Sequence, residues 1–195
     1  MGRIMLRRDR AALAVVAGMI VFVAACHVNV RKSENGEDKK VDVVTPVGSI
    51  HVNKDVAARD TGLPVYPGAQ EKKGDNGGNA NVNIGSSFFG LKVVAIEYLS
   101  DDPPEKVAAY YKDQLKKYGG VLECHTTSRH GDPDVEIGEK DNKLSCERSS
   151  GPTVELKVGT KDNQHVVSIS PQDKGKGTDF ALVFVQARGG SKDTI

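Results

Sequence analysis

The chain holds 195 residues, of which 38% are hydrophobic and 27% charged, with a net charge of +1. That balance fits one soluble domain with a tail, or two small ones, and excludes both a disordered chain and a nucleic-acid binder read from bulk charge. Trp is absent and aromatics make up 5%, which excludes a Trp-lined platform for sugars or bases.

The N-terminus reads as an export signal. Arg3, Arg7, Arg8 and Arg10 stand against one acid, Asp9, and residues 11–25 form an apolar run. That run is shorter than the roughly 20 residues that span a bilayer comfortably. A basic start, a short apolar stretch and small residues at its end describe a secretory signal, with an uncleaved N-terminal anchor as the other reading. Arg7-Arg8 raises twin-arginine export, but Asp9-Arg10-Ala11 fits that pattern poorly. The run ends in Val23-Ala24-Ala25-Cys26, which resembles the lipobox of bacterial lipoproteins. The resemblance implies a diacylglyceryl group on the Cys26 sulfur, cleavage just before Cys26, and acylation of the new N-terminus with palmitate-type chains. Small residues admit the peptidase, the thiol is the nucleophile to be alkylated, and two or more chains anchor stably where one does not. The alternative is a coincidental cysteine at the end of a signal. The next residue is His27, not Asp, which by the enterobacterial sorting rule favours the outer membrane. Losing residues 1–25 removes four Arg and one Asp, leaving 23 basic and 25 acidic residues and a net charge of −2. A near-neutral domain has no obvious electrostatic partner.

Residues 26–40 are polar and charged and are expected to form a tether. In residues 41–62, two short β-prone runs around Pro46-Val47-Gly48 predict a hairpin followed by a linker. The main domain is expected over 63–188, with a polar tail at 189–195. It opens on Leu63-Pro64-Val65-Tyr66-Pro67-Gly68-Ala69, an extended entry and a turn. Residues 71–81 read as a loop. Residues 82–88 and 91–99 predict two strands, the second apolar on both faces and therefore central. The clearest element is a helix from about Pro103 to Tyr118. Asp102 is the expected N-cap, Pro103 the first helical residue, and Glu105 completes a capping box. Val107, Ala108, Tyr111, Leu115 and Tyr118 make one apolar face, lysines gather near the C-terminal end, and Gly119-Gly120 is expected to close it in a left-handed cap. Strands are predicted at 121–127, 143–148, 153–158, 164–170 and 179–187. In the third of these Glu155 and Lys157 alternate with Val154, Leu156 and Val158, which reads as a half-buried strand. The expected fold is α+β, an antiparallel sheet with one main helix packed on a face in two layers.

Residues 63–69 followed by residues 98–119 (YLSDDPPEKVAAYYKDQLKKYG) resemble a module of uncharacterised bacterial lipoproteins and exported proteins. The match covers residues 63–120. It implies location and fold rather than an activity.

With Cys26 lipidated, Cys124 and Cys146 remain as an even pair. Outside the cytoplasm such a pair is expected to form a disulfide, here between antiparallel neighbouring strands. The competing reading is a metal site of Cys124, His125, His130 and Cys146, disfavoured because adjacent residues of a strand point to opposite faces.

No Gly-x-Ser-x-Gly elbow, His-Glu-x-x-His or Walker loop occurs, and the Gly-rich stretch 74–85 lacks the strand-to-helix setting of a phosphate loop. Asp132, Asp134 and Glu136 hint at calcium, but an EF-hand loop needs Gly and Glu where Ile137 and Lys143 stand. Asp101-Asp102 could pose as a catalytic acid pair, yet capping explains Asp102. The expected function is a non-catalytic envelope lipoprotein, anchored to the bilayer through acylated Cys26, with no cofactor, metal or nucleic acid and with a protein or glycan partner. The alternative is a small envelope hydrolase or metal-dependent enzyme, which a pocket gathering His125, His130 and the 132–136 acids would favour.

Overall fold

The structure, a computed structural model, describes residues 27–32, 38–72, 78–127, 135, 137, 141–146, 150–172 and 176–189. The signal segment, Cys26, His130, Asp132, Asp134 and Glu136 lie outside the described residues, as does all but the start of the tail.

Among the described residues, ten strands form a single antiparallel sheet. They are β1 (His27–Lys32), β2 (Asp38–Thr45), β3 (Gly48–Asn53), β4 (Gln70–Glu71), β5 (Ala80–Gly85), β6 (Gly90–Ser100), β7 (Leu122–Thr126), β8 (Thr153–Thr160), β9 (Asn163–Pro171) and β10 (Thr178–Arg188). Their spatial order is β1-β2-β3-β5-β6-β10-β9-β8-β7, and the short β4 shares an edge of β6 with β5. One helix, α1 (Pro104–Leu115), packs across β8 and β9. This is the expected α+β class.

The helix docks because Val107, Tyr111 and Leu115 recur at helical spacing and are all fully buried. They meet Ile96, Leu156, Val167, Ile169, Phe180 and Leu182 from the sheet. Each such side chain contributes about 1.5–3 kcal/mol on burial. The segment 63–69 straps the helix to the sheet. Leu63 and Tyr66 enter the core, and Tyr111 donates its hydroxyl proton to the Pro64 carbonyl at 3.1 Å. The strap then turns over Pro67 and Gly68. The Ala69 N–H bonds the Tyr66 carbonyl at 3.0 Å and Gly68 takes φ 78°, the left-handed conformation that a type II turn requires.

Several expectations are corrected. The helix N-cap is Pro103 rather than Asp102, and no side chain caps it. Asp102 instead accepts the Tyr66 hydroxyl at 2.8 Å and the Lys106 ammonium at 3.0 Å, two partners that outcompete its own backbone. The helix passes into a 3₁₀ turn, Lys116–Tyr118, and Gly119 closes it at φ 139°, ψ −159°, outside the left-handed cap geometry. Residues 27–40 are not a tether throughout. Val28 and Val30 stand opposite Val43 and Val41 in the β1–β2 ladder, so this stretch carries β1 and the start of β2. Residues 143–146 form no strand. Two points pin this stretch instead of a ladder, Asn142 against the β8–β9 turn and Cys146 against Cys124.

The strand β8 is not half-buried. Glu155 and Lys157 are as buried as their apolar neighbours and lie 3.4 Å apart. The reason is a second covered layer. On the sheet face away from α1, Val166, Ala181, Val183 and Val185 pack with Val135, Leu91, Val93 and Ala95. Register places Glu155 and Lys157 on that same face, opposite Ser168 and Val166.

Candidate functional site

Two concave regions frame the functional question. The first is a groove of about 690 Å³ between α1 and the β7–β8 edge, floored by Ala108, Ala109, Val154 and Leu156. Its rim carries Glu105, Lys112, Glu123 and His125. Lys112 donates to the Glu123 carboxylate at 2.7 Å, and the His125 Nε2 stands 3.6 Å from the other oxygen of Glu123. The Lys112 ammonium, with His125 behind it, holds the Glu123 carboxyl below the usual carboxylate range. All three side chains are roughly half exposed, so the ion pairs are worth little to stability. An apolar floor with one imidazole, one ammonium and two carboxylates on the rim suits a peptide or glycan lying across it.

Of the residues singled out in the sequence, Cys124 and Cys146 come together as a disulfide with a Cα–Cα distance of 5.5 Å. Both sulfurs are bonded to one another, so they are not thiolate ligands, and the metal reading falls. Cys124 is buried on one face of β7 while His125 projects from the other, as strand geometry demands. Asp101 is exposed, and Asp102 is held below the ordinary carboxylate range by Lys106 and Tyr66, which marks it as a structural acceptor.

The second region is a cleft of about 500 Å³ at one end of the sheet, lined by Ser49, His51, Asn83, Phe88, Lys92 and Arg188 among others. His51 Nδ1 lies 2.8 Å from the Asp42 carboxylate. The β5–β6 connection above the cleft is organised by Ser86, whose hydroxyl oxygen accepts the Phe88 and Phe89 N–H groups at 3.2 and 3.0 Å. This leaves Phe88 90% exposed and Phe89 39% exposed. Sequence reasoning carried Phe88 into a strand and so missed this tip. The usable signal was two adjacent aromatics after Ser86-Ser87, which break the strand alternation.

Two further polar groups are structural. His165 is buried, stacks on Tyr118 with ring centroids 3.9 Å apart and donates from Nδ1 to the Thr61 carbonyl at 2.9 Å. Burial lowers its pKa. Lys72 bridges Asp179 at 2.8 Å and Glu97 at 3.3 Å. Burial alone would lower its pKa, but Asp179 and Glu97 outweigh it and hold the ammonium above its ordinary value.

Among the described residues no helix is long and apolar enough to cross a membrane. No family model, curated protein or solved structure matches the chain.

Proposed function

We propose that this chain is a cell-envelope lipoprotein whose α+β domain serves as a binding or structural module rather than an enzyme. The observation that carries the reading is Val23-Ala24-Ala25-Cys26 at the end of a short apolar run behind four arginines. The Cys124–Cys146 disulfide supports it, because such bonds persist in oxidising compartments outside the cytoplasm. Acylated Cys26 holds the domain to a bilayer, the outer membrane in a diderm cell. The groove beside α1 then offers an apolar floor to an envelope protein or glycan. The second reading, a small envelope hydrolase, draws on the His125–Glu123 pair at that groove. Measurable ester or peptide hydrolysis lost on His125→Ala would favour it.

Intact mass spectrometry of the protein extracted from native membranes tests the main reading. The expected mass is that of residues 26–195 plus acyl chains, two hydrogens below the dithiol form. A mass retaining residues 1–25, with both thiols free, would overturn it.

A further inference from the structure

The sheet register brings six residues from six strands into one lateral row. His27 pairs with Val44, Ser49 with Gly85, Gly85 with Gly90 and Gly90 with Arg188, while the β2–β3 turn joins Val44 to Ser49 by direct pairing. With adjacent strands about 4.8 Å apart, the row is about 24 Å wide. It is one end of the sheet, and everything beyond it projects past that end.

What projects is unusual. The β2–β3 turn presents Val47, 76% exposed, and the β5–β6 tip presents Phe88, 90% exposed. These are the two most exposed large hydrophobic side chains among the described residues. Phe89, Val44 and Ile50, at or near the same end, are each about 40% exposed. Lys92 and Arg188 flank them in the cleft. Among the described residues neither has an acidic partner; Asp42 is engaged by His51 and Lys40, and the exposed Asp162 lies beside Ala187, whose N–H its carbonyl accepts. The tip is also firmly seated. Gly189 takes φ 71° directly against the Phe88 carbonyl, and a Cβ there would overlap it.

The chain enters β1 at this same end. Cys26 is the residue directly before His27 in the chain. A lipid on the Cys26 sulfur therefore leaves the protein at the row that carries Val47, Phe88, Lys92 and Arg188. We infer that this end of the sheet is a membrane-contact surface: Val47 and Phe88 enter the interface of the leaflet that holds the anchor, and Arg188 faces its phosphate groups, with the Lys92 ammonium set further back over the Phe184 ring at 5.8 Å. The inference rests on the lipoprotein reading for the anchor. The chemistry fits a bilayer interface, in which apolar tips insert to a shallow depth and cations meet anionic headgroups. It gives the anchored domain a fixed attitude. The strands stand up from the membrane, and the end at Ser100 and Thr178 points away from it.

The absence of Trp makes the test clean, because one introduced indole is the sole reporter. The full protein is purified from membranes as the Phe88→Trp variant and, separately, as Lys176→Trp, at an exposed site beside Thr178 at the opposite end. Each is reconstituted into phosphatidylcholine vesicles with a minority of phosphatidylglycerol, with and without bromine on the acyl chains. The expected result is emission lowered about twofold by bromination for Phe88→Trp and unchanged for Lys176→Trp. Emission unchanged for both, in protein that floats with the vesicles and carries acyl mass, overturns the contact surface and leaves the anchor standing. Equal quenching of both also overturns it. Quenching of Phe88→Trp in protein without acyl mass keeps the surface and overturns the anchor; no quenching and no acyl mass overturns both.

Discussion

Removing a single oxygen from the core measures how firmly the 63–69 strap holds the helix. Tyr111 is fully buried, and its hydroxyl donates to the Pro64 carbonyl at 3.1 Å. Burial pushes the phenol well above its ordinary pKa, so it remains a donor at any ordinary pH. Tyr111→Phe keeps the ring and removes one part-buried hydrogen bond, a cost of about 0.5–1.5 kcal/mol. Tyr111→Leu also removes ring contacts at centroid distances of 5.0 Å to Tyr110 and 5.6 Å to Phe180. At about 0.5–1.5 kcal/mol per aromatic pair, the second variant should lose roughly 2 kcal/mol more. Urea unfolding of the disulfide-intact protein, followed by circular dichroism, reads both. A Tyr111→Phe protein within about 0.3 kcal/mol of the parent would mean that water serves the Pro64 carbonyl and that the strap is not docked as described.

Three further outcomes are expected. Reducing the Cys124–Cys146 bond, which spans 22 positions, should lower stability by about 3 kcal/mol through the freed unfolded chain; a urea midpoint unmoved by reductant would refute the constraint. His165, with its folded pKa below its ordinary 6.5, leaves stability whole above that pH. Below it the unfolded chain takes up a proton that the folded one refuses, so stability falls with acid until the folded pKa is reached. A series of melting curves should show this slope flattened in His165→Gln. Lys157→Met removes the buried ammonium 3.4 Å from the Glu155 carboxylate and should cost about 1–3 kcal/mol, and the Glu155→Leu, Lys157→Met double variant should lose less than the two single changes added together. Additive losses in that cycle would show that the two charges are not coupled.

Local chemistry made much of the fold legible. Residues 93–96 and 180–185 are apolar on both faces, and β6 and β10 are neighbours at the centre of the sheet. Val107, Tyr111 and Leu115 announced the buried stripe of α1. The even pair left after Cys26 announced the disulfide, and Tyr66-Pro67-Gly68-Ala69 its turn. What stayed hidden depends on partners distant in sequence. Glu155 and Lys157 alternate as solvent-facing residues should, and only the second covered face, lined by Val166 and Val183, reveals them as buried. Asp102 looked like a cap because Tyr66, its real partner, lies 36 residues away. His125 was legible as facing away from Cys124, but its pairing in a groove with Glu123, which Lys112 also holds, was not. The row from His27 to Arg188 exists only in the register of six strands and has no trace in any one of them.

The antiparallel pairing of β1 with β2 has a mechanical consequence. If the domain is held at Cys26 and a partner pulls on its opposite end, the load enters at His27 and runs along the axis of β1. The ladder from His27 opposite Val44 to Arg31 opposite Lys40 is then stressed in shear, with its hydrogen bonds sharing the force. Peeling, which breaks such bonds one at a time, would need a pull across the sheet. An edge strand that looks like the weakest part of the fold would in that arrangement meet the load at its strongest angle, and the first element to yield under tension should lie elsewhere.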